Sequence, residues 1–115
     1  SDTAYLFTQP ELTKLSIKNG KLTVKWKKIS GVTSYDVYIS KNKNTGYKKV
    51  KTVNAKKAVV TVKKFKKAKF NKKKTYYAYI VARKKVGSRT YGSGVNYVSS
   101  ISKGKFNSSL QYIAY

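Results

Sequence analysis

Eight of the twelve residues in the segment 63–74 are lysines: Lys63, Lys64, Lys66, Lys67, Lys69, Lys72, Lys73 and Lys74. Phe65, Ala68, Phe70 and Asn71 interrupt them. Charge packed this densely repels itself, so a polyanion laid against it relieves a cost the free chain carries. Lysine is a compact point charge on a flexible stem and attracts any polyanion without geometric discrimination. The segment is therefore a candidate docking loop for a polyanion, or an address for nucleic acid. The competing reading is a solvated connector, with Phe65 and Phe70 tucked inward and the lysine stems splayed into water. The whole chain shares the bias, with 27 basic residues against 3 acidic ones and a net charge of +24. Only Arg83 and Arg89 of those basic residues are arginine. Readers of bases and phosphates favour the bidentate fork of arginine. Its scarcity argues against nucleic acid as the partner. Lysine richness also has a bland explanation, a surface kept solvated or a compositional bias of the source genome.

Other chemistry is harder to assemble. The chain has no His and no Cys, and its three carboxylates, Asp2, Glu11 and Asp36, are scattered. General acid–base catalysis needs a positioned group of suitable pKa, and metal sites need clustered ligands. We expect no catalytic residue, no metal site and no cofactor, and no glycine loop suited to phosphate occurs. The aromatics leave two readings open. Trp26, the sole tryptophan, is either a sugar-stacking platform or a core anchor, and its place beside Leu22 and Val24 favours the core. Tyr38, Tyr47, Tyr76, Tyr91 and Tyr97 interleave with lysine and are expected to point outward. Such a face can bind glycans or single strands by stacking plus charge, or can be cross-strand packing, the reading we favour.

The elements that would carry these residues have a period of two. Leu22, Val24 and Trp26 alternate with lysines and Thr23, and Tyr35, Val37 and Ile39 alternate with Asp36, Tyr38 and Ser40. Tyr77, Tyr79 and Val81 alternate with Tyr76, Ala78 and Ile80, apolar on both faces, as suits a central strand. Alternation of this kind marks antiparallel sheets with one wet face. Asn19-Gly20, Ser30-Gly31, Asn44-Thr45-Gly46 and Gly87-Ser88 punctuate the chain as turns. The expected strands are 12–18, 21–28, 34–41, 47–53, 58–63, 75–85 and 90–101. Seven short strands at this spacing suggest a sandwich or barrel. No internal repeat is visible, and 115 residues hold one domain. Residues 1–9 read as an N-terminal linker, 10–103 as the domain and 104–115 as an uncharged tail beyond Lys105 that has left it. No secretory leader or apolar run of membrane-spanning length is visible. The lack of any Met, even at position 1, leads us to expect a fragment or processed product.

The stretch from Leu22 to Ile39, with Trp26 on one strand beneath a Tyr35-x-Val37 strand, resembles the second and third strands of a fibronectin type III domain. Thr75, Tyr77, Tyr79 and Val81 resemble the pattern of that family's sixth strand, and Phe70 fits its upstream apolar position, with Phe65 as the alternative. Ser93, Gly94 and the residues 95–101 resemble the last strand. The resemblance covers about 10–103. It implies an all-β fold, an immunoglobulin-like seven-stranded antiparallel β-sandwich, with Trp26, Tyr35, Val37, Phe70, Tyr77, Tyr79 and Val81 in the core. It also implies that Tyr77 forms the tyrosine corner, its hydroxyl bonded to backbone upstream. Two departures stand out. No Arg-Gly-Asp occurs, and Asn71-Lys72-Lys73-Lys74 replaces the usual Pro-Gly before the sixth strand. The lysine-rich version is similar to tandem modules of surface or secreted proteins from Gram-positive gut bacteria. That implies an exported, non-catalytic spacer or adhesion unit with neighbouring domains, held by charge to anionic cell-wall polymers or glycans. The rival classes are a nucleic-acid-binding domain and a structural spacer with no ligand.

Overall fold

The computed structural model describes residues 8–112, and the chain there forms antiparallel strands in two sheets. In chain order they are β1 (Leu12–Lys18), β2 (Lys21–Trp26), β3 (Ser34–Ser40), β4 (Lys48–Asn54), β5 (Val59–Val62), β6 (Thr75–Val86), β7 (Arg89–Gly92), β8 (Tyr97–Ser102) and β9 (Lys105–Gln111). One sheet has the order β1-β2-β5. The other has the order β4-β3-β6-β8-β9, with β7 also paired to β6. The architecture is consistent with a generic immunoglobulin-like or fibronectin-like sandwich. It has nine strands among the described residues, not the seven expected.

Local chemistry sets the first hairpin. Asn19 and Gly20 take φ of 54° and 75°, the paired left-handed conformations of a two-residue turn whose twist matches the strands. Leu15, Ile17, Leu22 and Val24 then fall on the face turned toward the second sheet, where all four are buried. Trp26 lies in that core and meets the Tyr35 ring edge-on at 5.4 Å. The Tyr35 hydroxyl accepts a hydrogen bond from the Ile29 backbone N–H at 2.9 Å. Val37, Ile39, Val62, Phe65 and Phe70 complete the interior.

The phase of β6 differs from the expectation. Tyr35, Val37 and Ile39 of β3 stand opposite Ala82, Ile80 and Ala78, so the inward set is Tyr76, Ala78, Ile80 and Ala82. Tyr76, not Tyr77, is buried against Phe70, ring centroids 5.0 Å apart, and its hydroxyl accepts from the Asn71 backbone N–H at 2.9 Å. Tyr77 is only half-buried. Tyr79 and Val81 are buried, but on the opposite face, where they cluster with Val98. A strand apolar on both faces carries no phase information, and a slip of one residue exchanges its faces.

Two further expectations are corrected. The stretch 90–101 divides into β7 and β8. Ser93 breaks it by closing onto β6, its backbone N–H donating to the Ala82 carbonyl at 3.0 Å and its hydroxyl accepting from the Ala82 N–H at 2.9 Å. The described part of the expected tail 104–115, residues 104–112, has not left the sheet, and 113–115 lie outside the described residues. Lys103 and Gly104, at φ of 51° and 80°, turn the chain into β9, which pairs with β8 from Ser102–Lys105 to Tyr97–Gln111. Most of the expected linker 1–9 lies outside the described residues. Gln9 is described, and it clamps β8 by donating to the Tyr97 carbonyl at 2.6 Å and accepting from the Asn96 N–H at 2.7 Å.

Candidate polyanion interface

The lysine-rich segment connects β5 to β6, and its two phenylalanines hold it in place. Phe65 and Phe70 are 2% and 4% exposed, whereas all eight lysines are exposed. Phe65 and Ala68 exchange backbone hydrogen bonds at 2.8 and 3.1 Å, closing Lys66 and Lys67 into a tight turn. These two lysines take φ of 49° and 70°. A side chain with a Cβ pays roughly 1–2 kcal/mol for that left-handed region, which glycine enters freely. The Lys66 ammonium lies 5.4 Å from the centre of the Phe65 ring, a cation–π contact. Further on, the Phe70 N–H donates to the Gly20 carbonyl at 2.9 Å. The Asn71 side chain accepts from the Lys73 N–H at 2.9 Å, and its carbonyl accepts from the Lys74 N–H at 3.0 Å. Asn71 thus supplies the turn geometry that Pro-Gly would otherwise give, through a side-chain bond to its own backbone two residues on.

The loop does not present its lysines as one patch. Lys64, Lys66 and Lys67 face Lys48 and Lys49 of β4 across a groove of about 420 Å³ floored by Val50. Lys72 and Lys73 point elsewhere, toward Lys103 at the β8–β9 turn. Lys69 packs its stem at the β1–β2 turn, where a Cβ added to Gly20 would lie 3.2 Å from its own Cβ. Lys63 directly follows β5 and Lys74 directly precedes β6. Sequence reasoning missed the β4 lysines altogether. Their signal was the Lys48-Lys49-Val50-Lys51 stretch on an expected strand, but nothing in a linear pattern says that β4 runs beside β5 across the gap between two sheets.

The two described carboxylates are engaged elsewhere. Glu11 pairs with Lys27 at 2.9 Å on the exposed surface, where such a contact contributes little. Asp36 is buried and accepts from the Arg83 Nε at 3.0 Å and from the Thr52 hydroxyl at 2.7 Å. Arg83 also donates to the Tyr38 hydroxyl at 3.2 Å, so this guanidinium is built into the sheet and is no clamp for a ligand. A Cβ on Gly92 would clash with the Arg83 Nη1, so the glycine makes room for it. No ion pair among the described residues neutralises the groove lysines.

The outward aromatics form a packed cluster on the far face of the larger sheet. Tyr38 stacks on Tyr79 at 4.8 Å, and Tyr47 meets Tyr79 at 4.7 Å. Tyr112, just past β9, closes over both, 5.9 Å from Tyr47 and 6.1 Å from Tyr79. Burial, reinforced by the neighbouring phenols, pushes the Tyr79 hydroxyl up to about 12 and that of Tyr47 higher still. Tyr76, expected on this side, belongs to the core instead.

Among the described residues no three His, Cys, Asp or Glu side chains come together as a metal site, and no helix is long and apolar enough to cross a membrane. In comparisons with known proteins, no family model and no curated protein matches the chain.

Proposed function

We propose that this chain is a non-catalytic, fibronectin type III-like module of an exported bacterial surface or secreted protein, a spacer or adhesion unit held by charge to anionic cell-wall or glycan polymers. The observation that carries the reading is the β5–β6 connection. Two buried phenylalanines pin it, and every one of its eight lysines is left in solvent with no acidic partner among the described residues. A connector that served only to join two strands would not need strained lysines at its tip, where Asn-Gly would fit with far less strain. The nucleic-acid reading loses support because Arg83 is committed to Asp36. A ligand-free spacer has one observation in its favour: lysines on the edge strand β4 also discourage strand pairing between molecules.

Co-sedimentation with purified Gram-positive cell walls, before and after chemical removal of their anionic polymers, tests the proposal, with gel shift of duplex DNA in parallel. The expected result is retention on intact walls and release once the polymers are stripped. Undiminished retention on stripped walls, or no retention on intact ones, overturns it.

A further inference from the structure

The two edge strands β4 and β5 belong to different sheets, and each has one side unpaired among the described residues. Between them two grooves lie end to end. The first, already described, brings β4 against the tip of the β5–β6 connection. The second, of about 500 Å³, continues along Lys51–Asn54 of β4, facing Lys57 and Val59–Thr61 of β5. Together they follow the whole of β4, seven residues, or about 23 Å of extended chain. Lys48, Lys49 and Lys51 wall one side. Lys57, Lys64, Lys66 and Lys67 wall the other. Val50, Val53, Val59 and Val60 supply an aliphatic floor, and Val59 is 44% exposed there. Among the described residues no aromatic ring lines either groove; the tyrosine cluster occupies the outer face of the larger sheet, around Tyr79.

We infer that this β4–β5 cleft is the polymer-binding site, and that its occupant is a single flexible polyol-phosphate chain of the poly(glycerol phosphate) class. The inference rests on the polyanion reading above and assigns it a place and a ligand chemistry. The lysine walls supply the charge. Their point charges suit tetrahedral phosphates that reach the cleft in varied orientations, without the planar fork that fixes one geometry. The floor selects among phosphate polymers. Single-stranded nucleic acids are held by bases stacked on aromatic rings, and the cleft has none among the described residues. An acyclic polyol backbone needs only aliphatic contact and charge, and the cleft offers both. The strained turn has a role in this arrangement, because it sets Lys66 and Lys67 side by side at one end of the cleft, opposite Lys48 and Lys49.

The test compares two variants that remove the same number of charges. In one, Lys48, Lys49, Lys51, Lys64 and Lys67 become Gln. In the other, Lys14, Lys18, Lys72, Lys73 and Lys105 become Gln, all exposed and outside both grooves. Binding is titrated with poly(glycerol phosphate) of defined length, and with oligodeoxythymidylate and heparin fragments of equal charge. The expected result is at least a tenfold greater loss of poly(glycerol phosphate) affinity in the first variant, with the unmodified protein preferring that polymer. Equal losses would overturn the cleft and leave diffuse electrostatics, with the polyanion reading intact. Tighter binding of the oligonucleotide or of heparin would overturn the ligand assignment. No binding of any polymer by the unmodified protein would overturn both readings. Amide chemical shifts of the unmodified protein decide the matter even if the first variant fails to fold. On adding glycerol-phosphate oligomers, the largest changes are expected in 48–54 and 57–67, and largest changes elsewhere would overturn the site.

Discussion

Tyr76 and Tyr77 are adjacent, chemically identical, and separated in role by the pleat of one strand. The sequence placed a tyrosine near this corner, but its type and neighbours could not say which, because both faces of β6 are apolar. Phe70 and the β3 partners decide it by accepting Tyr76, Ala78 and Ile80 into the core. Tyr76→Phe should therefore cost about 1–2 kcal/mol, because the Asn71 N–H loses its acceptor. Tyr77→Phe should change stability by less than about 0.5 kcal/mol, as partly exposed substitutions usually do. Urea denaturation of both variants checks the pair, and a larger loss in Tyr77→Phe would reverse the assigned register. Tyr79 adds a pH dependence. Its folded-state value of about 12 lies above the ordinary 10.0, so the unfolded chain gives up this proton first. The contribution of Tyr79 to stability is whole below pH 10 and is lost as the pH rises from 10 to about 12. Spectrophotometric titration of phenolate should show a late-ionising tyrosine near pH 12 that disappears in Tyr79→Phe.

Among the elements, β1 to β6 were legible as strands because alternation, β-branched or aromatic runs and turn residues such as Asn19-Gly20 coincide with their ends. β9 was not, and the reason is a bulge. Phe106 and Leu110 are four residues apart and should share a face, yet Phe106 packs on the main core while Leu110 packs on the Tyr79 cluster. The register shifts between Val98 and Ser100 opposite them, where the Ser99 hydroxyl donates to the Ser108 carbonyl at 2.7 Å. An extra residue in one strand breaks the period of two on which strand reading depends. The strand β4 was expected at 47–53 and is found at Lys48–Asn54, but its facing is hidden in the same way. Its pairing shifts between Val37 and Tyr38 of β3, and Val50 and Val53, three apart, both turn inward. The turn at Lys66-Lys67 makes a prediction at this scale. Replacing it with Asn-Gly removes the left-handed strain, roughly 1–2 kcal/mol per residue, and loses a surface cation–π contact of about 0.5–1 kcal/mol. The variant should be about 1–3 kcal/mol more stable by thermal or urea unfolding and should bind polyanions more weakly. Unchanged affinity would show that the strain serves only the connection between strands.

For the molecule as a whole, the net charge of +24 was legible before any fold was known and left two readings open, a polyanion partner or a surface kept solvated. The loop 63–74 was legible as its densest point, but the convergence was not. The fold sends Lys72 and Lys73 away from Lys66 and Lys67 and brings in Lys48, Lys49 and Lys51 from a strand far back in the sequence. Two sheets packed face to face leave an open seam along their edge strands, and that seam gathers lysines from both. Holding so many like charges together costs free energy that bound phosphates would offset. The salt dependence of that binding is the most direct test of the account. Each phosphate neutralised on a single chain contributes about −0.7 to the slope of log K against log salt, so full engagement of the seven cleft lysines predicts a slope of about −5. Titration of the protein with poly(glycerol phosphate) across a salt series should give a slope near that value, with affinity collapsing by a few hundred millimolar salt. A slope shallower than about −2, or binding that persists in molar salt, would contradict the account.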